Sequence, residues 1–359
     1  MFSLIRATLC PIVRNYSLRA YSTLIPGRVL RGRGIIRWDY RILEPLNGSE
    51  GRQPSVYKAK IIPDDPSIKA PQWAVIKAAT DGRTEWEQDR EYDTYQMLAD
   101  ACNPCFRQIY DVIGDDIIVL EWMDCTLADI AYQPHWRIYA IFKEIIKATL
   151  TSNIVLAEQG YAYSGFRAES IFVSGINTDH VTVKVGDLAR VFPDGKQDET
   201  TLPVAVQSPE VVLGLTHTSV SSVWAVATML LSWIERDLLS VAGTPDFTVD
   251  GIWNMLKFTR LFPDQIAPEL VPEASEQAIQ SHVAPEAESL RDFIRAYLTL
   301  KNISTFEEEM QKRDVPKEIK DMLRFMLMVD PDLRPSASSV LASTELQALE
   351  KLVEGKSSQ

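Results

Sequence analysis

The stretches "VYKAKII" (Val56–Ile62) and "WAVIKAA" (Trp73–Ala79) alternate β-branched or aromatic residues with polar ones, the period-two signature of half-buried strands. A Pro-rich, acidic loop, "PDDPSIKAPQ", separates them. "TEWEQDREYDTYQMLADA" then has helical spacing, which predicts Trp86, Tyr92, Tyr95, Met97 and Leu98 near one face. "FRQIYDVIGDDIIVLEWM" reads as two strands joined at the turn "GDD". From "HWRIYAIFKEIIKATLTSNIVLAEQG" onward the pattern is mostly helical, with Gly160 where a helix C-cap belongs. Strands first and helices afterwards predict an α+β chain.

Two short strands, "SIFVS" and "VTVKVGD", interrupt the helical part. Further helices are expected at Ser221–Ile234, Gly251–Phe258, Ser289–Leu298, Pro316–Met328 and Ala337–Val353. The segment Phe262–Glu288, rich in Pro, Glu and Ala, reads as a long surface insertion. No internal repeat or low-complexity tract is visible.

With 359 residues, nearly half of them apolar, the chain can build one large two-lobed domain or two ordinary ones. The net charge of −12 hides an asymmetry. From Met1 to Trp38 the only charged residues are arginines: Arg6, Arg14, Arg19, Arg28, Arg31, Arg33 and Arg37. An acidic body argues against nucleic acid as a main partner, because phosphate binding needs clustered Lys and Arg.

The opening "MFSLIRATLCPIVRNYSLRAYSTL" has the Arg-rich, acid-free, Ser/Thr-containing character of a mitochondrial transit peptide. The expected location is therefore mitochondrial, with the matrix favoured and the cytoplasm as the alternative. A disordered basic tail is the other reading of the leader. No run reaches the roughly 18–20 apolar residues of a membrane span, and "VWAVATMLLSWI" reads as a buried helix. Cys102 and Cys105 form a lone C-x-x-C that leaves half a zinc site missing and a redox pair as the other reading. His135, His180, His217 and His282 have no metal-ligand spacing, so no structural metal is expected.

Seven short motifs follow one another in a fixed order. "AVIK" ends at Lys77, "REYDTYQML" carries Glu91, and "VLEWMD" contains Leu120, Glu121 and Met123. "YSGFRAESIFVSG" comes next, then "KVGDLA" with Asp187, "SPE" with Glu210, and "DPDLRPSA" with Arg334. In this order they resemble the protein-kinase superfamily from about Tyr40 to Leu346, and the texture is closest to fungal SR-protein-kinase-like sequences.

The resemblance implies a two-lobed α+β fold, with a β-rich lobe over 39–123 and a helical lobe over 124–348. A leader (1–38) and a flexible tail (349–359) flank them. It also implies nucleotide-binding roles for Gly51, Val56, Lys77, Glu91, Glu121, Met123 and Asp187. Leu120 takes the gatekeeper position, and backbone groups of Glu121–Met123 would face an adenine. Asp187 would be a metal ligand, and Glu210 with Arg334 a structural ion pair. ATP and Mg²⁺ are the implied candidate cofactors.

The departures are concentrated in the motifs that do chemistry. On the pattern H-R-D-L-K-P-E-N, Tyr163 replaces His, Ser164 replaces Arg, and Gly165 replaces the catalytic Asp. Arg167 replaces Lys and Ser170 the metal-binding Asn. A glycine cannot accept a proton, and a serine hydroxyl is a poorer Mg²⁺ ligand than an amide or carboxylate. Loss of the base alone costs about 10²–10⁴ in rate.

In the glycine-rich loop the three glycine positions fall at Ser49, Gly51 and Pro54, and Pro54 offers no N–H to a phosphate. Gly48 restores one glycine in a shifted loop. Ser222 stands where kinases carry an aspartate that braces the catalytic loop, so that brace is expected to be lost. Together these imply a pseudokinase acting on an unidentified protein partner as scaffold or allosteric regulator, with Lys77, Glu91 and Asp187 leaving weak ATP binding open. The alternative is an active, atypical serine/threonine kinase in which Glu169 or another acid stands in for the base.

Overall fold

The computed structural model describes residues 24–34, 38–47, 54–65, 67, 69–99, 103–178, 180–196, 206–236, 238–239, 257–265 and 303–357. The chain divides into two compact units: one of residues 1–86 with 111–119, the other of residues 87–110 with 120–359.

The first unit is organised by a six-stranded sheet. Its strands are β1 (Val29–Arg31), β2 (Trp38–Pro45), β3 (Val56–Pro63), β4 (Trp73–Ala78), β5 (Ile109–Ile113) and β6 (Ile117–Glu121), in the order β1-β2-β3-β4-β6-β5. β1 to β4 form an antiparallel meander with Val29 opposite Arg41, Tyr40 opposite Ile61 and Val56 opposite Lys77. Alternation does what the sequence pattern predicts: Tyr40, Ile42, Tyr57, Ala59, Ala74 and Ile76 are buried. β1 lies within the stretch read as leader, and Leu24 and Leu30 are both buried.

Asn47 joins the strands that flank residues 48–53. Its Oδ1 accepts from the backbone N–H of Ser55 and of Val56, both at 2.9 Å. Gly51 and its neighbours Gly48 and Ser49 lie outside the described residues.

Helix α1 (Gly82–Met97) differs from its sequence expectation. Trp86 is 38% exposed, whereas Glu85, Gln88, Glu91, Thr94 and Tyr95 are buried. Of the expected face, Tyr95 and Leu98 are buried and Trp86 is not, so apolar periodicity finds only part of a stripe that is otherwise polar.

The second unit is built on α2 (Trp136–Glu158) and α4 (Ser219–Ile234). α4 is apolar around nearly its whole circumference and accordingly buried, with Val223, Trp224, Val226 and Leu230 fully enclosed. Thr218 caps it through a hydrogen bond to Ser221 N–H. Gly160 follows α2 at φ +79°, the left-handed conformation of a glycine that stops a helix.

Short strands carry the loops: β7 (Cys125–Thr126), β8 (Tyr161–Tyr163), β9 (Ile171–Ser174), β10 (Thr182–Val185) and β11 (Val191–Pro193). β9 lies between β7 and β10, and β11 pairs with β8. The short helix α3 (Pro209–Val212) precedes α4.

The remaining helices are α5 (Phe306–Gln311), α6 (Lys317–Met326), α7 (Ala337–Leu341) and α8 (Thr344–Ser357). α2 packs against α4, α7 and α8. The single helix expected over Ala337–Val353 is broken in two, because Ser343 Oγ takes the N–H of Leu346 at 3.1 Å and so starts a new helix. α5 was not expected, although Thr305 and Glu308 form a capping box that marks its start. Residues 257–261 are helical; the remainder of the expected helix over Gly251–Phe258, and the one over Ser289–Leu298, lie outside the described residues. Among the described residues, no helix is long and apolar enough to cross a membrane.

Candidate functional site

The stretch Tyr163–Ser170 runs from β8 through a 3₁₀ turn (Ala168–Ser170) into β9. Tyr163 points inward and is fully buried. Its hydroxyl lies 3.0 Å from Gly186 O and 3.3 Å from Asp187 O, and its ring meets Phe166 edge-on at 4.6 Å. Burial, then the nearby Asp187 charge, raises the Tyr163 hydroxyl pKa well above that of a free tyrosine, so it serves as a neutral donor.

Gly165 lies directly against that ring. A Cβ there would sit 2.6 Å from Tyr163 Cε2, 2.7 Å from Cζ and 2.8 Å from the hydroxyl oxygen. Position 165 therefore has room only for glycine while Tyr163 keeps its place.

Ser170 is fully buried and turned back into its own loop. Its Oγ is 3.0 Å from Gly165 O and 2.8 Å from Arg167 O, and it accepts the Arg167 N–H at 3.1 Å. These bonds use the single hydroxyl proton and an acceptor lone pair.

Asp187 adopts φ 54°, ψ 49°, a left-handed conformation that Asp tolerates better than most residues, and leads into a 3₁₀ turn (Leu188–Arg190). Arg167 Nη2 lies 3.8 Å from its Oδ2, with the Arg167 side chain 43% exposed. A metal held at this place would have Asp187 but not Ser170, so the donor set does not fit an ion bound by the chain alone. Among the described residues, no group of three or more His, Cys, Asp or Glu side chains is arranged around a common point.

Thr94 and Arg90, on α1, hold the segment after Asp187. Thr94 Oγ1 lies 3.2 Å from Leu188 O, its single proton shared with Arg90 O at 3.0 Å. Arg90 donates to Ala189 O at 3.0 Å and Val191 O at 2.9 Å, and its guanidinium lies 4.2 Å over the Phe192 ring. Both residues escaped the sequence reading; the one signal for them is the polar stripe that also holds Glu91.

Glu121, the last residue of β6, belongs to the second unit and is half-buried there. Its carboxylate takes both oxygens to Lys184 Nζ at 2.8 Å and accepts Gln108 N–H at 3.0 Å. Its N–H donates to Gln108 O, and its carbonyl accepts Arg107 Nε at 2.6 Å. Met123 is buried, its sulfur 3.8 Å from Ser174 Oγ. Lys77 and Val56 belong to the first unit, on β4 and β3; Glu91 is buried in the second.

The expected loss of the brace at Ser222 is corrected. Ser222 Oγ donates to Tyr163 O at 3.0 Å, with His217 Nε2 at 3.1 Å. With its proton on Tyr163, Ser222 accepts from Nε2–H of His217. A carboxylate can brace a loop only through N–H groups, and the Ser164 N–H is already bonded to Arg190 O at 3.1 Å. A hydroxyl can brace it through a carbonyl instead. Ser222→Ala is therefore expected to cost about 1–2 kcal/mol, and Ser222→Asp more, since its carboxylate would face the Tyr163 carbonyl. Urea unfolding of the two variants checks the order.

The structure brings Glu210 and Arg334 together as a buried bidentate pair, with Nη1–Oε1 at 2.7 Å and Nη2–Oε2 at 2.9 Å. Ser221 Oγ adds a bond to Glu210 Oε1 at 2.8 Å, and Arg334 Nε reaches Met328 O at 2.8 Å. Of the C-x-x-C pair, Cys102 lies outside the described residues, and burial pushes the Cys105 thiol up to about 12.

No protein-family model matches this chain, and no curated protein matches it significantly.

Proposed function

We propose that this chain is a protein-kinase-like, two-lobed protein without phosphotransfer activity, a pseudokinase that acts through contacts with a protein partner. The observation that carries this reading is the Tyr163 ring filling the space beside Gly165. Tyr163 and Ser170 replace reactive groups with bonds that hold the loop shut. Ser222 and the Glu210–Arg334 pair keep the surrounding framework rigid, which suits a scaffold whose surface must stay in shape. The arginine-only charge of the leader supports a mitochondrial setting.

Thermal unfolding followed with ATP, with and without Mg²⁺ or Mn²⁺, tests the reading. The expected result is an unchanged midpoint at nucleotide and metal concentrations of about 1 mM, since a ligand that binds only the folded state raises it by mass action. A metal-dependent rise that disappears in Asp187→Ala would instead identify a working nucleotide site.

A further inference from the structure

Among the described residues of the second unit, Arg107 is a deeply buried cation whose guanidinium meets a backbone carbonyl and an aromatic ring. It is 3% exposed, and an arginine is held inside a protein only where its N–H groups and charge are compensated. Its backbone N–H bonds Val185 O at 2.8 Å. Its Nε donates to the Glu121 carbonyl at 2.6 Å, and its guanidinium lies 4.3 Å over the Phe172 ring. Gly186 forms the adjoining wall: a Cβ there would come within 3.4 Å of Arg107 Cδ and 2.6 Å of the Phe172 ring. Burial lowers the guanidinium's pKa, while Tyr95, Asp187, Glu91 and Glu121 act in the opposite direction, so the group sits among acids that favour its charge.

A planar, delocalised group stacked on an aromatic face, with one N–H on a backbone carbonyl, makes the contacts that a flat heteroaromatic base with an exocyclic amine would make. We propose that the Arg107 side chain occupies the base-binding place against Glu121 and Phe172 and closes it to adenine nucleotides. This rests on the kinase-like reading of Glu121–Met123. It makes the closure a property of one side chain, separable from the missing acid at Gly165.

The test is calorimetric titration with adenosine, which has no phosphate and needs no metal, of the full chain and of Arg107→Ala. Arg107→Val serves as a second variant should the alanine form not fold. The wild type is expected to show no heat of binding at about 1 mM adenosine, and the folded variant to bind at least about tenfold more tightly. Equal binding by wild type and variant would overturn the proposal and leave the kinase-like reading standing. No binding by either would overturn it and also remove the base site which that reading implies. If neither variant folds, the Arg107 Nε–H resonance of the wild type decides. Slow solvent exchange, unchanged by adenosine, supports closure; fast exchange, or displacement by adenosine, overturns it.

Discussion

Replacing Arg334 by leucine is expected to lower the unfolding free energy by about 3–5 kcal/mol, because it strands the Glu210 carboxylate in a nearly dry site. Both partners are buried, and the pair is bidentate. Arg334 also stacks over the Trp224 ring at 5.0 Å, so its loss opens packing as well as charge. Lysine at 334 should recover little, since an ammonium cannot make the two parallel bonds. The double variant Glu210→Leu/Arg334→Leu should be much less destabilised than either single change, because it leaves no uncompensated charge. Chemical denaturation of the wild type, the three single variants and the double variant separates these outcomes.

The pair also gives stability a pH dependence with a defined sign. Burial alone would raise the Glu210 carboxyl, but the hydrogen bonds and charge of Arg334 outweigh it and leave the pKa below the ordinary value of 4.5. A depressed carboxyl contributes stability above its unfolded pKa and loses that contribution as pH falls through the folded value. Wild-type stability should therefore drop below about pH 4.5 more steeply than that of the double variant.

Gly165→Asp is expected to destabilise the protein and to restore no phosphotransfer. The new Cβ would meet the Tyr163 ring at 2.6–2.8 Å, and the ring cannot easily yield while it is fully buried and bonded at Gly186 O. Overpacking of this kind costs about 1–3 kcal/mol. The carboxylate would add a further penalty beside Asp187. Gly165→Ala isolates the steric part and should lower the melting temperature without altering the pH profile. If Gly165→Asp were as stable as wild type, Tyr163 would not be what fixes glycine at that position.

Much of the fold was legible because its signals are local. β3 and β4 were visible in the alternation of Val56–Ile62 and Trp73–Ala79, and α4 in an unbroken apolar run. The division of α7 from α8 was not, because one serine hydroxyl decides it. The buried face of α1 was read only in part, because Glu85, Gln88, Glu91 and Thr94 are buried alongside Tyr95 and Leu98 and apolar spacing does not mark them.

At the site, the glycine at position 165 could be read from the sequence. That a tyrosine ring fills the space beside it could not, since no sequence states where a side chain points. Ser222 shows the same limit, for its residue type suggested a lost brace and its geometry supplies one of opposite polarity. Arg107 was invisible: an arginine beside alternating strand residues looks solvent-facing, and only the fold reveals the carbonyl and ring that hold it.

A chain with this site is expected to carry out no phosphotransfer. Incubation of the purified protein with radiolabelled ATP and Mg²⁺ or Mn²⁺, alongside Lys77→Ala and Asp187→Ala, tests it most directly, with self-labelling and a general protein substrate as readouts. The same background incorporation is expected from all three proteins. Incorporation by the wild type that falls at least about tenfold in Asp187→Ala would contradict it, because only a positioned nucleotide could make the signal depend on that carboxylate.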